Sequence, residues 1–140
     1  MRRSLSSLRT LALGAGLLAA GMAAGQSPAE IRRAYESAAR QASPAFGGLS
    51  AQRGESFFKY GHGGDWSCAS CHTQSPLAAG RHAVTGKAIA PLAPAASPSR
   101  LVDAAKVEKW FKRNCNDVLK RECTPAEKGD VVAYLMSLGK

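Results

Sequence analysis

An all-α fold is predicted for this chain, on three observations. Apolar residues recur at helical spacing in its second half, two Ser/Thr-Pro-x-Glu segments mark helix starts, and no convincing strand alternation occurs. Taking the elements in order, Arg2, Arg3 and Arg9 precede an uncharged run from Leu11 to Ala24, and Ala23 and Gly25 offer a cleavage site before Gln26. That is the layout of a secretory signal peptide, so residues 1–25 are set apart from the fold. The run of about 14 residues falls short of the roughly 18–20 that a membrane-spanning helix needs. The expectation is an exported protein with no membrane insertion once the leader is removed.

The leader's three arginines supply three of the nine net positive charges. What remains is enough for one small domain, which excludes a multidomain enzyme. Export argues against nucleic acid as a partner, despite the basic composition. Residues 26–49 read as an N-terminal helical extension: Ser27-Pro28-Ala29-Glu30 combines an N-cap, a proline in the first turn and a glutamate at N3, with the helix running to about Ala42. Residues 50–140 form the main domain. Its first helix begins near Ser50 and carries Gly54, Phe57, Phe58 and Gly61 as one face.

Thr85 to Arg100 is expected as a loop, because prolines 91, 94 and 98 deny it helix and ladder hydrogen bonds. Ile89 and Leu92 predict that it packs on something apolar. Asp103 can cap the next helix, where Val107, Trp110, Phe111 and Asn114 fall at i, i+3, i+4 and i+7. Lys106, Lys109, Lys112 and Arg113 take the other side. The last helix opens with the capping box Thr124-Pro125-Ala126-Glu127, carries Val131, Val132, Leu135 and Leu138, and ends at Gly139.

The chemistry lies in Cys68-Ala69-Ser70-Cys71-His72. Cys-x-x-Cys-His is the attachment sequence for covalent haem c. Its two thiols reach the two vinyl groups on one porphyrin edge, and the histidine that follows lies under the iron. The rival readings are a thioredoxin-like redox pair, which lacks its βαβ context, and a four-thiolate zinc site with Cys115 and Cys123. The eight-residue spacing of that second pair is unlike a zinc ribbon. Four cysteines allow three pairings, and the only one that leaves the motif unlinked to the rest of the chain joins Cys115 to Cys123. A disulfide needs Cα atoms within about 7 Å, so the helix must then break between them. Two free buried thiols are the alternative. Phe57, Phe58, Trp66, Trp110, Phe111 and Tyr134 are spread as a chain wrapping a flat ligand would have them, although any small α domain needs such residues for its core.

With His72 as the proximal iron ligand, the opposite face decides the function. Met1 and Met22 belong to the leader, and Met136 lies inside the last helix, so methionine is not expected. His62 and His82 have polar or flexible neighbours and read as exposed. Asn114 continues the apolar stripe of its helix, so its amide needs a partner. That partner is either iron or the helix's own end, which it would cap. Asn116 is rotated about 200° away.

Thr85-Gly86-Lys87, Ile89-Ala90-Pro91-Leu92-Ala93-Pro94, Pro98, Arg100, Val107-Glu108-Lys109-Trp110, Arg113-Asn114-Cys115-Asn116 and Cys123-Thr124-Pro125 closely resemble the sphaeroides haem protein family, over residues 50–140. The resemblance implies a class I cytochrome c-like fold around one covalent haem c, in a monomeric periplasmic protein. It implies Asn114 as the distal iron ligand, Trp110 and Phe111 beside the haem, and a Cys115–Cys123 disulfide. It further implies that the asparagine leaves the iron on reduction, after which oxygen or nitric oxide can bind. A dihaem cytochrome c or a membrane cytochrome b is the implied redox partner. An electron carrier rather than an enzyme is therefore expected. The alternatives are a haem enzyme that reduces oxygen, peroxide or nitric oxide, and a gas carrier or sensor.

Overall fold

The computed structural model describes residues 25–140; the leader expected over residues 1–25 lies outside them, Gly25 excepted. Five helices run in the order α1 (Pro28–Ala42), α2 (Ala51–Lys59), α3 (Ala69–His72), α4 (Ala104–Leu119) and α5 (Pro125–Ser137). The four longer helices begin at side-chain caps. Ser27 and Thr124 form reciprocal capping boxes with Glu30 and Glu127, while Ser50 and Asp103 accept the N–H groups of Arg53 and Lys106. Helix α2 ends at Lys59, with Tyr60 extended, so Gly61 lies beyond the face it was expected to complete.

Helix α5 is central, packed by α2 on one side and α1 on another, and buried from Lys128 to Val132. Gly54 allows the α2 crossing, since a Cβ there would fall on the Asp130 carbonyl oxygen. The Asp130 carboxylate accepts the Ser50 N–H at 2.6 Å and pairs with the Arg53 guanidinium at 2.8 Å, which ties the start of α2 to α5. The core joins Phe58, Ala69, Val131, Tyr134 and Leu135, with Leu92, Leu101 and Phe111 against it.

The fold is not free of strand. Gly80–Arg81 (β1) and Ala88–Ile89 (β2) pair antiparallel across a turn. Ala88 and Ile89 precede the first proline of their loop, so their ladder groups are intact. Beyond them, the loop packs as expected. Leu92 and Ala93 donate N–H groups to the Pro76 carbonyl, and Arg100 clasps the carbonyls of Ala90 and Pro91.

Candidate haem-attachment site

Ser67 to Thr73 forms one tight turn. Ser70 Oγ accepts the Ser67 N–H, and the Cys71 and His72 N–H groups both return to the Cys68 carbonyl. Cys68 and Cys71 are therefore one turn apart on α3, and neither is in a disulfide. Thr73 follows with φ 61° and ψ 166°, a region that is essentially glycine's and costs about 1–3 kcal/mol. Its hydroxyl holds the bend by donating to the Ser75 carbonyl. The bend brings β1 back onto the motif, where a Cβ on Gly80 would fall on the Cys71 carbonyl oxygen. Ala83 N–H donates to Cys71 Sγ at 3.3 Å.

Burial pushes the Cys68 thiol up to about 11. Such a thiol stays protonated, unlike the low-pKa thiolate of a redox pair. His72 is half-buried and lowered to about 4, by desolvation first and the charge of Arg100 second. Its imidazole is neutral at physiological pH, and no described residue hydrogen-bonds to its ring. Two thiols on one turn outside any disulfide, followed by a neutral imidazole without a described protein partner, are the donor set that haem c takes.

Among the described residues α4 packs only lightly against the other helices, and Cys115 is its one buried residue, although its sequence has an apolar face. Trp110 is 43% exposed with the Arg113 guanidinium over its ring, while Phe111 reaches the core. Asn114 is half-buried on the same face and has no side-chain hydrogen bond to any described residue; Asn116 is exposed. Phe111 and Cys68 border the same core cluster, and the rest of the apolar face of α4 is only partly covered by the described residues, as a face that takes a flat apolar group would be. Cys115 and Cys123 stand at disulfide distance, with Cα atoms 5.7 Å apart, because Lys120 turns left-handed (φ 59°) and breaks the helix. Their thiols are thus unavailable to a zinc site with Cys68 and Cys71.

His62 is not the exposed residue expected. It is half-buried, with Nε2 2.8 Å from the Phe57 carbonyl and its ring against Phe57, because the glycines around it let the chain fold back on α2. His82 is also half-buried, and its Nδ1 accepts the N–H groups of Val84 and Thr85 within the β1–β2 turn. Tyr35, which sequence reasoning passed over, meets Glu108, which entered only within the run Val107-Glu108-Lys109-Trp110. Both are ordinary surface types, and only the packing of α1 brings them together.

A family model described as a domain of unknown function (DUF1924) matches residues 44–135. The chain is 44% identical to the cytochrome c-type protein SHP of Cereibacter sphaeroides over 131 residues, 91% of this chain and 96% of that one. It is 41% identical to cytochrome c'' of Methylophilus methylotrophus over 107 residues, 74% of each. Among solved structures, oxidized SHP, titled an oxygen-binding cytochrome c, matches with TM-score 0.71 at 43% identity, covering 81% of this chain and 98% of that one. Oxidized cytochrome c'' matches with TM-score 0.72 at 38% identity, covering 81% and 95%. A solution structure of cytochrome c'' bears on haem-ligand detachment. With the attachment turn in place and this likeness extending over most of its length, the chain belongs to the sphaeroides haem protein (SHP) family of c-type cytochromes.

Proposed function

We propose that this chain is a periplasmic monohaem cytochrome c that carries electrons and, once reduced, binds a diatomic ligand such as oxygen or nitric oxide. Haem c, when bound, would supply a one-electron iron centre; Cys68 and Cys71 would hold it covalently, and the neutral ring nitrogen of His72 and the amide oxygen of Asn114 would be its protein ligands to iron.

The observation that carries this reading is the state of Asn114: half-buried on the apolar face of α4, without a hydrogen-bond partner among the described residues. No described side chain engages that amide, whose atoms are not sealed from solvent, so it is free to serve as a ligand; it does not cap the end of α4, where Lys120 makes the cap. The amide oxygen is a hard, neutral donor that suits ferric better than ferrous iron. The hold of Asn114 would therefore weaken on reduction, which would leave room for a small ligand. Two relatives agree with this reading: one bears the description oxygen-binding, and the other is connected with haem-ligand detachment.

The test is Asn114→Ala in protein matured with haem c. Its ferric spectrum should become high-spin while the covalent cofactor and the fold are kept, and added ligands should bind the ferric form faster. An unchanged ferric spectrum with lowered stability would reassign the distal site and leave the cytochrome c assignment intact.

A further inference from the structure

Helix α4 meets the other described helices chiefly through side chains, and one of these grips it twice. Tyr35 of α1 donates its hydroxyl to Glu108 Oε2 at 2.9 Å. Its ring also meets Phe111 edge-on, with centroids 5.8 Å apart at 87°. The Glu108 carboxylate accepts in turn from Lys128 Nζ, on an α5 lysine only 8% exposed. One hydrogen-bonded chain therefore ties α1, α4 and α5 together. Burial and the Glu108 charge push the Tyr35 phenol well above its ordinary range, so it remains a donor at physiological pH.

Glu108, Phe111 and Asn114 are spaced three apart on successive turns, and such neighbours meet along a helix flank. Tyr35 thus holds the two turns that lead directly to the asparagine. We infer that Tyr35 is a positioning residue for Asn114, setting how firmly the amide holds ferric iron. The inference rests on the proposed ligation by Asn114. It gives α1, which precedes the matched span 44–135, a part in the distal site. Groups behind a metal ligand fix its orientation, and their loss commonly costs 10- to 100-fold in affinity, roughly.

The test compares holoprotein variants Tyr35→Phe, Tyr35→Ala and Ile31→Ala. Ile31, one turn before Tyr35 on α1, is buried but makes neither the bond to Glu108 nor the ring contact with Phe111, so its loss reports general loosening of α1. Two quantities are read: the high-spin fraction of the ferric spectrum, and the limiting rate at which saturating imidazole displaces the internal ligand. Tyr35→Ala, which loses both grips, should raise the limiting rate on the order of tenfold with a visible high-spin fraction. Tyr35→Phe keeps the ring and should raise it roughly threefold, the worth of one hydrogen bond. Ile31→Ala should lower the melting temperature and change neither quantity. If both Tyr35 variants lose stability as Ile31→Ala does, with spectrum and limiting rate unmoved, the inference is overturned. Asn114→Ala, measured alongside, separates the two failures. If it becomes high-spin and the Tyr35 variants do not respond, only the role of Tyr35 falls; if it stays low-spin, ligation and positioning fall together.

Discussion

As the proposed second ligand to iron, Asn114 differs from His62 and His82 by being uncommitted. His62 Nε2 faces a carbonyl and so must carry the ring proton, which leaves only Nδ1 with a lone pair on a ring held against Phe57. His82 accepts two N–H groups at Nδ1, which in the neutral ring puts the proton on Nε2 and leaves no lone pair for iron. Substituting either one should therefore not touch the iron. We expect His62→Ala and His82→Ala to keep the ferric spectrum of the parent, whereas His72→Ala loses native coordination. A sixth ligand lost in either of the first two variants would transfer the distal role to that histidine.

Two elements of the fold are built on opposite principles. Helices α2 and α5 cross backbone to backbone at Gly54, with Asp130 fastening the start of α2 and no slack at the contact. Overpacking of this kind costs about 1–3 kcal/mol, and a backbone carbonyl cannot swing aside as a side chain can. Gly54→Ala should therefore lower the guanidinium midpoint by the equivalent of about 2–3 kcal/mol at unchanged slope. A loss below about 0.5 kcal/mol, the level of an ordinary surface substitution, would mean that the crossing can relax. Helix α4, in contrast, packs only lightly against the other described helices and is held through Tyr35, Lys128, Phe111 and the Cys115–Cys123 pair. An element held at points has room for a flat cofactor beside it, and its register depends on those points.

At the scale of the whole molecule, the basic residues of α4 and the turn after it are not equivalent. Arg121 is engaged with both Glu127 oxygens at 2.6 and 2.8 Å, while Lys112 and Arg113 lie at 3.9 and 4.0 Å from Glu122 and Asp117. Lys106 and Lys109 have no ion pair among the described residues. Exposed charges of one sign speed encounter with an opposite surface and are screened by salt. Docking of an acidic redox partner should therefore slow as ionic strength rises. Lys106→Glu with Lys109→Glu should slow it several-fold more than Arg121→Gln does, by stopped-flow electron exchange with a dihaem cytochrome. A rate indifferent to salt and to these changes would remove this face from docking.

The parts readable along the chain are those whose physics is local. A helix cap needs residues within three positions, so Ser27, Ser50, Asp103 and Thr124 mark their helices correctly. The haem turn needs five consecutive residues. The Cys115–Cys123 pairing requires a helix break, which Lys120 provides. The β1–β2 ladder escaped notice because two-residue strands have no period to detect. The bond from Tyr35 to Glu108 spans 73 residues, and that from Arg53 to Asp130 spans 77. Neither has a signature in its own neighbourhood, because which faces meet is decided by the packing of whole helices. Asn114 lies between the two regimes: helical periodicity places it on the apolar face of α4, but only the assembled fold leaves its amide without a protein partner.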